Sequence, residues 1–214
     1  VRNCIDVDRV ACASLTAPLP SGWPEDDGPV VLFLGRLERR KGVPEAVRAF
    51  ARVVQRYPTA RLVLAGSTGD SRYEPDTKDL LDAVPEPFRD RVTFLGHVAN
   101  DSLYRGIRQA TVTMCPSRWE GFGNVALEVQ SIGTPLVCTT GSGYDDFCVD
   151  GQNALMVPPR DADALADAVC RLLDNPGLGT LLARTAEKGV HHFSPDAVAP
   201  DLIATADEVL GPVR

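Results

Sequence analysis

The sequence predicts an α/β protein: a doubly wound parallel sheet of about six strands with helices on both faces. Three observations lead there. Short apolar runs alternate with amphipathic stretches almost throughout the chain. The runs are β-branched and nearly continuous, the pattern of strands covered on both faces. Strands alternating with helices pair in parallel through right-handed crossovers. With 214 residues, 44% of them hydrophobic, the chain can build one substantial domain or two small ones. No internal repeat or low-complexity tract divides it, so one domain is the economical reading.

The first 29 residues carry Pro18, Pro20, Pro24 and Pro29 with Gly22, Gly28 and the acidic run Glu25-Asp26-Asp27. They read as a loop or linker leading into a domain at 30–214, rather than as core. Strands are expected at 30–34, 61–65, 92–95, 110–114, 136–138 and 154–157. Helical spacing covers 44–56, 76–84, 101–108 and 124–132. A helix at 161–173 starts on an acidic N-cap and stops before Asn175-Pro176, and two more, 176–189 and 195–210, close the chain. In such sheets ligands bind beyond the carboxyl ends of the strands.

Composition narrows the function classes. The net charge of −7 offers no global basic field for nucleic acid or anionic lipid, so any phosphate must be held by local cations and amides. No apolar run approaches the ~20 residues that span a bilayer. The N-terminal VRNCIDVDRV lacks a signal peptide's apolar core and reads like a segment beginning in mid-protein. Six cysteines are scattered without a CxxC pair, and the three histidines show no metal-ligand spacing with them. A reduced, cytoplasmic protein without a metal site is the expectation.

Chemistry concentrates at 117–135, SRWEGFGNVALEVQSIGTP. Cys115 and Pro116 close the preceding strand. Gly121 and Gly123 let the backbone approach a ligand because neither carries a Cβ. Asn124 reads as the N-cap of the next helix, which Gly133 and Pro135 end. A helix N-terminus attracts phosphate. Glu120 lies just before the turn, and Glu128 one turn inside the helix, where a carboxylate can accept hydrogen bonds from hydroxyls. Amides between two carboxylates suit a ligand with both phosphates and hydroxyl-rich rings. The loop after the first strand, Gly35-Arg36-Leu37-Glu38-Arg39-Arg40-Lys41-Gly42, adds a planar fork at Arg36 and a point charge at Lys41. Gly42 and Pro44 make a sharp turn into the helix that follows.

The pieces GRLERRKG, SRWEGFGNVALE, IGTPLV and VDGQNALMVPPRDADALADAV resemble the C-terminal domain of retaining glycosyltransferases of family 4 (glycosyl transferases group 1), which adopt the GT-B fold of two facing Rossmann-like domains. The resemblance runs over nearly the whole chain with its motifs in order. It implies that Arg36 and Lys41 contact the donor diphosphate and stabilise the departing nucleotide, and that Glu120 contacts the donor sugar. It further implies that amides from Gly121, Phe122, Gly123, Asn124 and Val125 face sugar and phosphate. Glu128 would bind the ribose hydroxyls. Gly35 would line the same site, and Val98, beside His97, would border the base. Cys4 breaks the usual Asn-Gly-Ile-Asp, and Asp146 replaces a common glutamate by a shorter acid.

The substrate implied is a UDP-, GDP- or ADP-sugar, with no cofactor and no nucleic acid. The acceptor domain lies outside this chain, so membrane contact is expected only through it, and the chain alone is expected to turn over little or nothing. Two rivals fit less well. A nicotinamide enzyme needs GxGxxG directly after the first strand, and GRLERRKG stands there instead. A non-catalytic nucleotide-sugar module, or another GT-B enzyme such as an epimerase, would also bind such a donor; intact Arg36, Lys41, Glu120 and Glu128 argue against decay of the site.

Overall fold

The computed structural model describes residues 3–210. Six strands, β1 (Val30–Leu34), β2 (Arg61–Ala65), β3 (Val92–Gly96), β4 (Val112–Cys115), β5 (Leu136–Thr139) and β6 (Leu155–Val157), form one sheet in the order β3-β2-β1-β4-β5-β6. Every neighbouring pair is parallel. The helices are α1 (Val7–Thr16), α2 (Val43–Arg56), α3 (Thr77–Asp82), α4 (Asn100–Gln109), α5 (Asn124–Ile132), α6 (Ala162–Asp174), α7 (Pro176–Gly189) and α8 (Pro195–Leu210).

The period of two along the strands divides the core. Leu32, Leu34 and Val63 point to one face, where α1, α4 and α5 cover them with Val10, Ile107 and Leu127. Val31, Phe33, Leu62 and Leu64 point to the other, beneath α2 and α6, which bring Phe50, Val54, Leu165 and Val169. The inner strands are therefore buried on both faces, which is why their runs read as unbroken apolar stretches. β3 lies at the sheet edge and is only half-buried throughout.

The lead-in is more ordered than its prolines suggest. The expected loop contains α1, capped by the Asp6 side chain on the Arg9 amide and packed against α4. Val7 and Val10 are buried in the first core, each contributing on the order of 1.5–3 kcal/mol of apolar burial. Ile5 N donates to Phe193 O at 3.0 Å, so this segment also touches the chain's C-terminal part. With few apolar positions and a proline-rich sequel, the pattern is too short to show its period; burial against α4 stabilises it instead.

Two boundaries also shift. The strand expected from 110 begins at Val112, because Ala110 caps α4. Asn124 is not an N-cap: Gly123 holds that position in the left-handed region, φ 98°, with no side-chain cap, and Asn124 opens the helix.

Candidate functional site

The strand order reverses direction between β1 and β4, which are neighbours in the sheet although β2 and β3 intervene in sequence. Beyond the carboxyl ends at such a switch point lies the crevice that binds ligands in open α/β sheets. The pairing Phe33↔Met114 sets those ends level. The Gly35–Gly42 loop leaves one and the Pro116–Gly123 loop the other, so residues about 80 positions apart come face to face.

Several contacts lock the two loops together. Arg118 N donates to Arg40 O at 2.8 Å. A Cβ added to Gly42, φ 77°, would fall 1.8 Å from Pro116 O, so only glycine permits this approach. Across the junction Lys41 Nζ meets Glu120 Oε2 at 2.5 Å, with both side chains mostly buried. Ser117 Oγ donates to the same oxygen at 3.2 Å and lies 3.2 Å from the Tyr144 hydroxyl. Glu120 thus has a cation and a hydroxyl already in place.

The turn after Glu120 is held from behind. Gly143 N donates to Glu120 O at 3.0 Å. A Cβ on Gly123 would collide with the Tyr144 ring at 2.3 Å, whereas one on Gly121 would meet nothing within 4 Å. Gly123 is therefore required by its φ and by Tyr144, while the openness of Gly121 leaves that backbone accessible. Phe122 turns inward, with its ring 5.4 Å from Phe147 and 6.0 Å from Phe193. That leaves its amide, not its side chain, for any ligand. Asn124 and Val125 begin α5, where first-turn N–H groups have no intrahelical acceptor.

Glu128 lies on α5 facing α4, and Tyr104 OH donates to its Oε1 at 3.1 Å. Burial pushes the Glu128 carboxyl above its ordinary range, and the Tyr104 bond only partly offsets that. The same burial, with the carboxylate beside it, lifts the Tyr104 hydroxyl to about 12.

The structure thus brings Gly35, Lys41, Glu120, Gly121, Gly123, Asn124, Val125 and Glu128 to one strand-end region, with the backbone of Phe122. Two expected residues stand apart. The Arg36 side chain is 62% exposed, and its guanidinium is paired with Glu38 Oε1 at 2.8 Å. Val98 follows the edge strand β3, beyond β2, and packs half-buried on the first core. Sequence reasoning missed Tyr104, Ser117 and Tyr144. Ser117 opens the 117–135 segment singled out above and Tyr144 stands two residues before Asp146, but no local pattern links Tyr104 to a carboxylate 24 residues on. It also missed Gly66, φ 155°, where a Cβ would fall 1.9 Å from Gly35 O and push the loop aside. Among the described residues no three His, Cys, Asp or Glu side chains are grouped to hold a metal ion, and no helix is long and apolar enough to cross a membrane.

The strand order and the strand-end site define a Rossmann-like domain of the kind that makes up half of GT-B glycosyltransferases. The chain belongs to the glycosyl transferases group 1 family, whose model matches residues 28–175. It is 38% identical over 193 residues to the D-inositol 3-phosphate glycosyltransferase of Acidothermus cellulolyticus, covering 88% of this chain and 43% of that one. Sucrose-phosphate synthase from Thermosynechococcus elongatus superposes with a TM-score of 0.79 at 30% identity, over 97% of this chain and 51% of the other. Anabaena HepE in complex with UDP superposes with a TM-score of 0.82 over 96% of this chain and 56% of its own; at 19% identity that likeness concerns the fold alone. The chain spans about half the length of these three relatives.

Proposed function

We propose that this chain is the donor-binding half of a retaining glycosyltransferase of family 4, which moves a sugar from a nucleoside-diphosphate sugar to an acceptor held by a second domain. The observation that carries the reading is the Lys41–Glu120 contact at the β1/β4 switch point, immediately before an uncapped helix start. It joins a cation, a carboxylate and free amides where a diphosphate ester would lie. That solved relatives of this fold include complexes with UDP and UDP-glucose is consistent with such a ligand.

In this reading the nucleotide end is held by Glu128, which accepts from the ribose hydroxyls. The phosphates rest on the α5 amides of Asn124 and Val125, so their charge meets the positive end of the helix. Lys41 exchanges its Glu120 partner for a phosphate oxygen, and Arg36 leaves Glu38 to join it. As the bond from the anomeric carbon to the phosphate oxygen breaks, charge builds on that phosphate. Preorganised cations and amides stabilise this charge more in the transition state than in the bound donor, which is what accelerates the step.

Glu120, released from Lys41, orients the sugar hydroxyls. The acceptor oxygen bonds to the anomeric carbon from the face the phosphate leaves, and its proton passes to the departing phosphate. Retention then needs no protein nucleophile. The acceptor domain would add ~150–200 residues by ordinary domain sizes, in keeping with the half-length match to relatives. Titration calorimetry of the chain with UDP, GDP and ADP tests the reading. Binding of one of them in the micromolar to millimolar range is expected; no heat from any at millimolar concentration would overturn it.

A further inference from the structure

We infer that Glu45 and Arg118 form a positioning pair that holds the two ligand-facing loops in register behind Lys41 and Glu120. Glu45 lies in the first turn of α2, four residues after Lys41, and its side chain is only 3% exposed. Arg118 lies two residues before Glu120. Its Nη2 donates to Glu45 Oε1 at 2.8 Å, and the surface residue Arg48 reaches the same oxygen at 3.2 Å. Glu45 Oε2 and Arg118 Nε are buried without a hydrogen-bond partner among the described residues. Arg118, a quarter exposed, is therefore the closer and less exposed of the two cations on this carboxylate.

Two features separate the pair from ordinary packing. First, an ion pair on a buried carboxylate is poor stability design, since the desolvation of Glu45 offsets much of the attraction, and apolar side chains of similar size often serve as well. What it supplies instead is a short charge-assisted tether between α2 and the Pro116–Gly123 loop, from Arg118 Nη2 to Glu45 Oε1. Second, it ties the Pro116–Gly123 loop to the first turn of α2, four residues past Lys41, and is less exposed at its carboxylate than the Lys41–Glu120 contact. The latter contact is the one a donor diphosphate must displace. When Lys41 turns to phosphate, the loops retain the Arg118–Arg40 backbone bond, the long Arg40 Nη1 contact to Trp119 O at 3.5 Å, the Gly42–Pro116 approach and the Glu45–Arg118 pair. Only the last of these is a side-chain link anchored in α2. It keeps Lys41 at the height of the phosphate released at the reacting end, while the nucleoside end is anchored separately on α5.

The inference rests on the donor-binding reading, and the test separates the two. Affinities for UDP and UMP, with the GDP/GMP and ADP/AMP pairs alongside, are measured on the unsubstituted chain and on Arg118→Lys, Arg118→Ala and the double variant Glu45→Gln/Arg118→Met. The double variant removes the pair without leaving a lone buried charge, so it folds even if Arg118→Ala does not. The unsubstituted chain is expected to prefer the diphosphate over the monophosphate by about tenfold or more, the gain from the outer phosphate on Lys41. In Arg118→Ala and the double variant this preference falls to about threefold or less while monophosphate affinity holds within about twofold; Arg118→Lys restores part of it. Equal weakening of both nucleotides, or an unchanged preference in the double variant, overturns the positioning role. If the unsubstituted chain binds none of the three diphosphates, the donor-binding reading itself fails and this inference with it.

Discussion

Glu120 and Glu128 stand on one strand-to-helix junction, yet the fold gives them opposite surroundings. Glu120 faces the Lys41 ammonium and the Ser117 hydroxyl, so its charge is compensated before any ligand arrives. Glu128 faces a neutral phenol on α4 and has no ion-pair partner among the described residues, and burial pushes its carboxyl up. The contrast teaches that residue type does not set a carboxylate's task. Glu120 must give up a cation to act, so it suits the reacting end, where charge is redistributed. Glu128 is short of donors, so a vicinal pair of ribose hydroxyls fits its need.

The contrast can be broken most severely at Lys41. Lys41→Ala removes the cation on Glu120, leaving it the Ser117 hydroxyl, and removes the charge answering the departing phosphate. Transfer by the enzyme carrying its acceptor domain should fall by about 10²–10³ in kcat, the usual cost of one preorganised charge-stabilising group. An effect on donor affinity alone, seen in steady-state kinetics, would assign Lys41 to binding only.

Next comes Glu128→Gln, which should weaken nucleoside diphosphate binding by about tenfold or more, as a charge-assisted bond becomes a neutral one. The same change should stabilise the fold at neutral pH. Because the folded state raises the Glu128 carboxyl above its ordinary 4.5, it binds that proton more tightly than the unfolded chain. The Glu128 contribution is thus fully present below pH 4.5 and is lost as pH rises through the folded value. Urea unfolding between acid and neutral pH should show Glu128→Gln gaining on the order of 1 kcal/mol at neutral pH and losing this part of the slope. A variant that is less stable at neutral pH would contradict the assignment.

Tyr104→Phe sharpens the comparison more gently. The Tyr104 hydroxyl lowers the Glu128 carboxyl, so its loss should raise that group further, as read by NMR titration of labelled glutamate. Nucleotide affinity should drop about threefold to fivefold, one neutral hydrogen bond's worth. The smallest effect belongs to Glu38→Gln, which frees the exposed Arg36. Diphosphate should bind no more than about threefold tighter, and less so in high salt, since exposed pairs contribute little.

Much of this was legible in the sequence because the relevant signals are local. Six strand runs, the Gly42-Val43-Pro44 turn into α2 and the Glu120–Glu128 spacing all declare themselves within a dozen residues. What escaped depends on contacts between distant segments. α1 is a helix because Val7 and Val10 meet α4, not because ten residues show a strong period. Tyr104 joins the site only because α4 packs beside α5. Arg36 illustrates the reverse case: motif position suggests a phosphate ligand, whereas in the folded chain the nearer Glu38 claims it. Asn124 had the right chemistry for a cap, but Gly123 alone can adopt the left-handed backbone beside Tyr144.

The division of labour between the two glutamates is tested most directly by titrating Glu120→Ala and Glu128→Ala with both UDP and UDP-glucose, or with whichever diphosphate and sugar diphosphate the unsubstituted chain binds. Glu128→Ala should weaken both ligands alike, by about tenfold or more, while Glu120→Ala should leave the free diphosphate within about twofold and weaken only the sugar diphosphate. Equal loss of free diphosphate in the two variants would contradict the account.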